Sequence, residues 1–153
     1  GVVKPGSRNS DIVSNLDFAQ TFLDIAGVKS PADMQGTSLV PLFKGHTPKD
    51  WRTHFYYHYY EFPGAHSVAR HYGVTNGRHK LIHFYQNNEW ELFDLKKDPN
   101  ELQSVYGNSD YKTIQSDLLA ELKRLRVHYK VPEEDPVPPK RKRPNQPNRP
   151  KKK

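Results

Sequence analysis

The chain has 153 residues and no cysteine, and at 34% its hydrophobic share is below that of an ordinary globular chain. One compact domain with a modest core is allowed, a disulfide framework and a thiolate metal site are excluded, and part of the chain must stay unpacked. The net charge of +7 is concentrated in Lys140, Arg141, Lys142, Arg143, Arg149, Lys151, Lys152 and Lys153; without these eight cations the remainder carries −1, so the body is not a basic nucleic-acid-binding surface.

The opening G-V-V-K-P-G has no initiator Met, charged n-region or apolar h-region. The N-terminus is therefore expected to be a cut, with any secretory signal upstream of it. No apolar run is long enough to span a bilayer. Ser14 or Asn15 is the expected N-cap of a helix running to about Ala26, because Ser14 and Asp17 have capping-box spacing and Gly27 suits a left-handed C′ position. Leu16, Ala19, Leu23 and Ala26 share one face of it. After a loop holding Pro31 and Gly36, Ser38 can cap a short helical turn in which Pro41 is tolerated, and Gly45 ends it.

Thr53 to Glu61, T-H-F-Y-Y-H-Y-Y-E, predicts a strand with Phe55, Tyr57 and Tyr59 on one face and His54, Tyr56, His58 and Tyr60 on the other. A Pro-Gly turn over Phe62 to Ala65 follows. Ser67 to Thr75 and His79 to Tyr85 then form a predicted hairpin around Asn76-Gly77, and Glu89 to Leu95 the fourth strand after the turn Gln86-Asn87-Asn88. From Ser109 to His128, Tyr111, Ile114, Leu118, Leu122 and Leu125 recur at helical spacing, so this helix is expected to cross one face of the sheet. From Val131 onward proline alternates with charge and no apolar cluster remains, which predicts disorder for 131–153. The fold class is α+β.

The Arg78 to Glu101 stretch, R-H-K-L-I-H-F-Y-Q-N-N-E-W-E-L-F-D-L-K-K-D-P-N-E, is two strand-like runs closed by an Asp-Pro-Asn breaker. Together with D-F-A-Q-T-F-L-D-I-A-G-V from Asp17 and M-Q-G-T-S-L-V-P-L-F-K-G from Met34, it resembles in order and spacing the C-terminal portion of the sulfatase family. Y-Y-H-Y-Y-E-F-P followed by H-S-V-A-R-H-Y-G-V is most similar to the bacterial-type branch acting on sulfated sugars. The resemblance implies that residues 1–50 finish an α/β catalytic domain and that 51–130 form a C-terminal subdomain of about four antiparallel strands packed on a helix, with 131–153 as a basic, Pro-rich tail. It also implies a calcium ion and a formylglycine nucleophile in a preceding N-terminal part, and an extracellular or periplasmic location. The sequence itself contains no cysteine and no Ser-x-Pro-x-Arg, so the nucleophile is missing and the chain alone is expected to be inactive. Two departures stand out: Gln20 where relatives usually have Pro in D-F-A-P-T, and Thr75-Asn76 where an Arg-Thr pair usually precedes the third strand.

The resemblance places His66, Arg70 and His71 at the mouth of the active-site cleft. A donor-rich loop of imidazole and guanidinium suits a sulfated sugar, which offers an anion and several hydroxyls. In the competing structural reading, Arg70 pairs with Glu61 or another acid across the sheet and one histidine is a satisfied structural residue. His54 and His58 fall on one face about 13 Å apart by the usual strand rise, too far to share a metal. Arg78, Lys80 and His83 read as a solvated face, Trp90, Phe93 and Leu95 as core, and Asp94 and Asp98 as Asx-type turn residues. The polybasic end is either a polyanion-binding segment or a solubilising tail. The expected function is one wall of a sulfatase substrate pocket; the alternative is a stand-alone, non-catalytic module that binds anionic glycans.

Overall fold

A computed structural model describes residues 1–135. In chain order it contains α1 (Asp17–Ile25), α2 (Val40–Phe43), β1 (Phe55–Tyr59), β2 (His71–Thr75), β3 (His79–Phe84), β4 (Glu89–Asp94), a 3-10 turn (Ser109–Tyr111) and α3 (Lys112–His128). The strands form one antiparallel meander in the order β1-β2-β3-β4. This is the predicted α+β architecture, although β1 and β2 are shorter than their sequence runs.

Register explains which side chains meet α3. Tyr56, Val74, Leu81 and Leu92 stand opposite one another across the four strands, and alternation puts all four on one face. Val74, Leu81 and Leu92 are fully buried there against Leu118, Leu122 and Leu125 of α3, the apolar stripe expected from the 3.6-residue period. The β2–β3 turn depends on Asn76, whose Oδ1 accepts from the backbone N–H groups of Arg78 (3.0 Å) and His79 (2.7 Å), while Gly77 takes a left-handed φ of 84°.

The solvated face expected for Arg78, Lys80 and His83 is not one face. His83 lies across the sheet from Lys80, on the α3 side, where its Nδ1 meets Tyr72 Oη at 2.8 Å and its ring stacks on Trp90 at 3.8 Å. Lys80 pairs with Glu101 (2.6 Å) and Arg78 with Asp94 (3.3 Å). Asp94 Oδ1 also accepts from Lys96 N–H, and Asp98 Oδ2 from Leu102 and Gln103 N–H, the turn roles expected of both. Phe93 is buried, whereas Trp90 and Leu95 are only half-buried.

Helix α1 starts later than its sequence signals suggest. Its N-cap is Leu16 with no side-chain cap, and only half of the capping box forms: Ser14 N–H donates to Asp17 Oδ2 (2.7 Å). The side of α1 that faces this chain is polar, not the Leu16–Ala19–Leu23–Ala26 stripe. Asp17, Gln20 and Thr21 are buried because each binds backbone in 36–39: Asp17 Oδ1 accepts from Thr37 N–H (2.9 Å), Thr21 Oγ1 from Leu39 N–H (2.9 Å), and Gln20 Oε1 from Gly36 N–H (2.9 Å). The Gln20 amide is oriented by these partners, since only with Oε1 toward Gly36 N–H can Nε2 donate to the Leu16 carbonyl, at 2.5 Å. Phe18, Phe22 and Ile25 point outward with 53%, 69% and 66% of their surface exposed, an apolar face that nothing among the described residues covers.

Candidate functional site

The loop 60–70 joins β1 to β2 and carries His66 and Arg70 of the predicted site, and His71 follows as the first residue of β2. It folds tightly: Phe62–Pro63 is a cis peptide, Phe62 N–H donates to the Tyr60 carbonyl, and Ser67 N–H donates to that of Gly64 with Ser67 itself left-handed. His66 sits on this turn, exposed, with no hydrogen bond to any described residue.

His71 opens β2 opposite Tyr59 and stacks on it, centroids 5.4 Å apart, with Phe84 at 5.1 Å. Its Nδ1 lies 2.8 Å from the Ala69 carbonyl. A carbonyl can only accept, so Nδ1 carries the proton and Nε2 of the neutral ring is left as an acceptor. His71 belongs to the sheet face away from α3.

Arg70 goes to the other side. Its Nη1 donates to Asp135 Oδ2 at 2.9 Å, Tyr85 Oη donates to the same oxygen at 2.8 Å, and His58 Nε2 stands 3.8 Å from Asp135 Oδ1. The acid partner weighed for Arg70 is thus Asp135, not Glu61, and Arg70 and His71 have separate neighbours. Asp135 was hidden in the sequence because the segment from Val131 reads as unpacked tail. In the fold, Val131 N–H donates to the Arg126 carbonyl at 2.9 Å and 131–135 return to the sheet; the rest of the predicted 131–153 disorder lies outside the described residues.

His58 is the most perturbed histidine near the loop. Burial among Tyr56, Tyr60, Tyr72 and Tyr85 pushes it down to about 4, with Arg126 and His71 acting the same way and Asp135 opposing. Because the folded value lies below the ordinary 6.5, the unfolded chain takes up the proton first, and stability falls as pH drops from about 6.5 to about 4. His79 and His83, also lowered by burial, add slope of the same sign. Urea unfolding on either side of this window is expected to show the loss, and His58→Gln, which cannot charge, should flatten the slope in part. An unchanged slope in that variant would mean that His58 titrates normally.

His54 makes no metal pair with His58: its Nδ1 lies 3.0 Å from Thr53 Oγ1 and 3.7 Å from Glu121. Among the described residues no three His, Asp or Glu side chains are grouped to hold a metal ion. Nor is any helix of the described part long and apolar enough to cross a membrane.

Residues 1–128 match the family described as N-sulphoglucosamine sulphohydrolase, C-terminal. The chain belongs to the sulfatase family. It is 49% identical over 131 residues to an N-acetylglucosamine-6-O-sulfatase of Bacteroides thetaiotaomicron, a match covering 84% of this chain and 24% of the relative. A Delta 4,5-hexuronate-2-O-sulfatase of the same species is 33% identical over 122 residues, covering 74% of this chain and 23% of that protein. Among solved structures, one of a protein in complex with its substrate D-glucosamine-2-N,6-O-disulfate superposes with a TM-score of 0.82 at 47% identity, covering 86% of this chain and 27% of that one. The chain thus spans about a quarter of the length of the curated relatives it matches, and the four-stranded sheet with its helix is the C-terminal subdomain of the sulfatase fold.

Proposed function

We propose that this chain is the C-terminal part of a sulfatase that hydrolyses a sulfate ester on a sulfated amino sugar, and that its β1–β2 loop forms one wall of the substrate pocket. The 49% identity to an N-acetylglucosamine-6-O-sulfatase carries this reading, because the match covers 84% of this chain and is not confined to one motif. Residues 1–50 end the catalytic domain, 51–130 form the subdomain, and the nucleophile and calcium belong to the preceding part. Exposed Phe18, Phe22 and Ile25 agree with such a division: they leave an apolar face of α1 for the preceding part of the catalytic domain to cover.

In the pocket wall, His66 offers a free imidazole to a sulfate oxygen or sugar hydroxyl, and His71 offers Nε2 as an acceptor for a hydroxyl. Arg70 stands at the root of the loop, where a sulfate oxygen would compete with the Asp135 carboxylate for its fork.

The test is release of sulfate from a 6-sulfated glucosamine by the parent protein carrying this chain. His66→Ala, and His71→Phe, which keeps the stacking on Tyr59, are each expected to lower kcat/KM by about tenfold, the value of one hydrogen bond to a charged or polar substrate group. Thermal midpoints should stay close to that of the parent. Full activity in both variants would remove the loop from the pocket, and no sulfate release by the parent would remove the sulfatase reading itself.

A further inference from the structure

Around Asp135 the hydrogen bonds run in one direction. Tyr85 Oη donates to Asp135 Oδ2 at 2.8 Å, which leaves the phenol oxygen to accept from His58 Nε2 at 3.4 Å. Nε2 therefore carries the proton of the neutral ring, and Nδ1 accepts from Tyr56 Oη at 3.0 Å. Tyr56 Oη in turn accepts from Arg126 Nη1 at 3.3 Å. Arg126, Tyr56, His58 and Tyr85 thus form a chain in which every proton points toward the Asp135 carboxylate, and Arg70 Nη1 reaches the same Oδ2 at 2.9 Å.

Packing holds the chain in place. The His58 side chain is only 8% exposed; it stacks on Tyr60 at 3.7 Å and meets Tyr72 and Tyr85 edge-on. Burial and the Asp135 carboxylate push the Tyr85 hydroxyl well above the ordinary phenol range, so it stays a donor. Tyr60 opens the β1–β2 loop and Arg70 closes it, so both roots of that loop meet here.

A plain ion pair that pins 131–135 to the sheet would need Arg70 alone. It does not account for a line of side chains with their donors aimed at one carboxylate. Nor is the pairing the two-pronged one by which a guanidinium grips a carboxylate most strongly, since Asp135 meets Nη1 only and Nε is buried with no partner among the described residues. Converging donors with a cation at the far end of the chain and a second beside the carboxylate make a seat for an anion, and Asp135 is its occupant.

We infer that Asp135 determines specificity: its carboxylate fills an anion seat built by Arg70, Tyr85 and His58, and so denies that seat to a second sulfate on the substrate. The sulfate that is hydrolysed lies with the nucleophile, which this chain does not contain; the seat would take a different one. With Asp135 in place a second sulfate reaches these donors only by displacing a charge already matched to them, so it adds nothing to binding. Without that charge Arg70 and Tyr85 are open to it. The choice of a substrate sulfate rests on the sulfatase reading above; the seat itself rests on the hydrogen-bond chain.

The test compares kcat and KM of the parent protein carrying this chain on glucosamine 6-sulfate and on glucosamine 2-N,6-O-disulfate. In the parent the second sulfate is expected to bring no gain in KM. In Asp135→Asn, which keeps an acceptor for Tyr85 and loses the charge, the ratio of the two KM values should shift about tenfold in favour of the disulfated sugar, the value of one hydrogen bond to a charged group. Adding Arg70→Met should cancel the shift. A merely structural role for Asp135 would lower kcat on both sugars alike and leave the ratio alone. The proposal is overturned if the ratio in Asp135→Asn equals that of the parent, or if the shift survives Arg70→Met. Calorimetric titration with inorganic sulfate reads the seat without turnover: Asp135→Asn should bind one sulfate more than the parent and the double variant should not, and an equal count in the parent and Asp135→Asn removes the seat. Sulfate release by the parent from the monosulfated sugar reports on the sulfatase reading alone, so an extra sulfate bound without any release would leave the seat standing and that reading refuted.

Discussion

Arg52→Ala is expected to destabilise the protein by about 3–5 kcal/mol, the loss typical of stranding one member of a buried ion pair. Asp17 has no solvent exposure, and both of its oxygens are engaged by Arg52, Nη1 to Oδ2 at 2.6 Å and Nη2 to Oδ1 at 2.5 Å. The same carboxylate accepts from Ser14 and Thr37 N–H, so it joins the start of α1 to the Thr37 segment and to Arg52. Burial alone would raise the Asp17 carboxyl; hydrogen bonds from Arg52, Thr37 and Ser14 and the guanidinium charge outweigh it, and the net shift is downward. Its contribution is therefore complete above the ordinary value of 3.8 and is lost as pH falls through the lower folded value. Denaturant unfolding of Arg52→Ala, Asp17→Asn and the double variant checks this. The double variant should lose clearly less than the two singles together, because it leaves no unpaired buried charge. A loss below about 1 kcal/mol for Arg52→Ala would class the pair with exposed salt bridges.

Gly36→Ala is expected to cost about 3 kcal/mol, the upper end of the range for overpacking. A Cβ at Gly36 would stand 2.1 Å from the Leu16 carbonyl oxygen and 2.7 Å from the Gln20 side chain. The first of these is backbone at the start of α1, which can move only by breaking the contacts that Asp17, Gln20 and Thr21 make with 36–39. Gly27→Ala is the useful control, since its penalty comes from a φ of 68° and its Cβ would meet nothing within 4 Å. Equal unfolding midpoints for these two variants would mean that the 36–39 segment shifts freely and that α1 does not hold it.

The strand and helix content was legible because the patterns are local. Alternation in F-Y-Y-H-Y, the Asn76-Gly77 turn and the Leu118–Leu122–Leu125 spacing each act within a few residues, and α3 needs nothing beyond its own stripe to find the sheet. Which side of α1 faces this chain was not legible, for the opposite reason. Its leucine and alanine stripe is a property of the helix alone, whereas the burial of Asp17, Gln20 and Thr21 depends on the backbone of 36–39 and on Arg52, as many as 35 residues away. His83 was placed with Arg78 and Lys80 because all three are polar, yet strand alternation separates it from them, and Trp90 and Tyr72 give it an aromatic setting.

The candidate loop was visible as a run of His66, Arg70 and His71 beside a Pro-Gly turn, and its family was visible in ordered motifs that no single segment carries. The split of Arg70 from His71 and the capture of Arg70 by Asp135 were not visible, because their partners lie on different strands or beyond α3. By itself the sequence determined the order and kind of the elements, the lack of cysteine and of a Ser-x-Pro-x-Arg motif, and the segregation of positive charge into the last residues, since these are matters of local pattern and count. Which charges are paired and which face of α1 is left uncovered were decided only by the tertiary structure, because each depends on distances between segments that the chain's order does not specify.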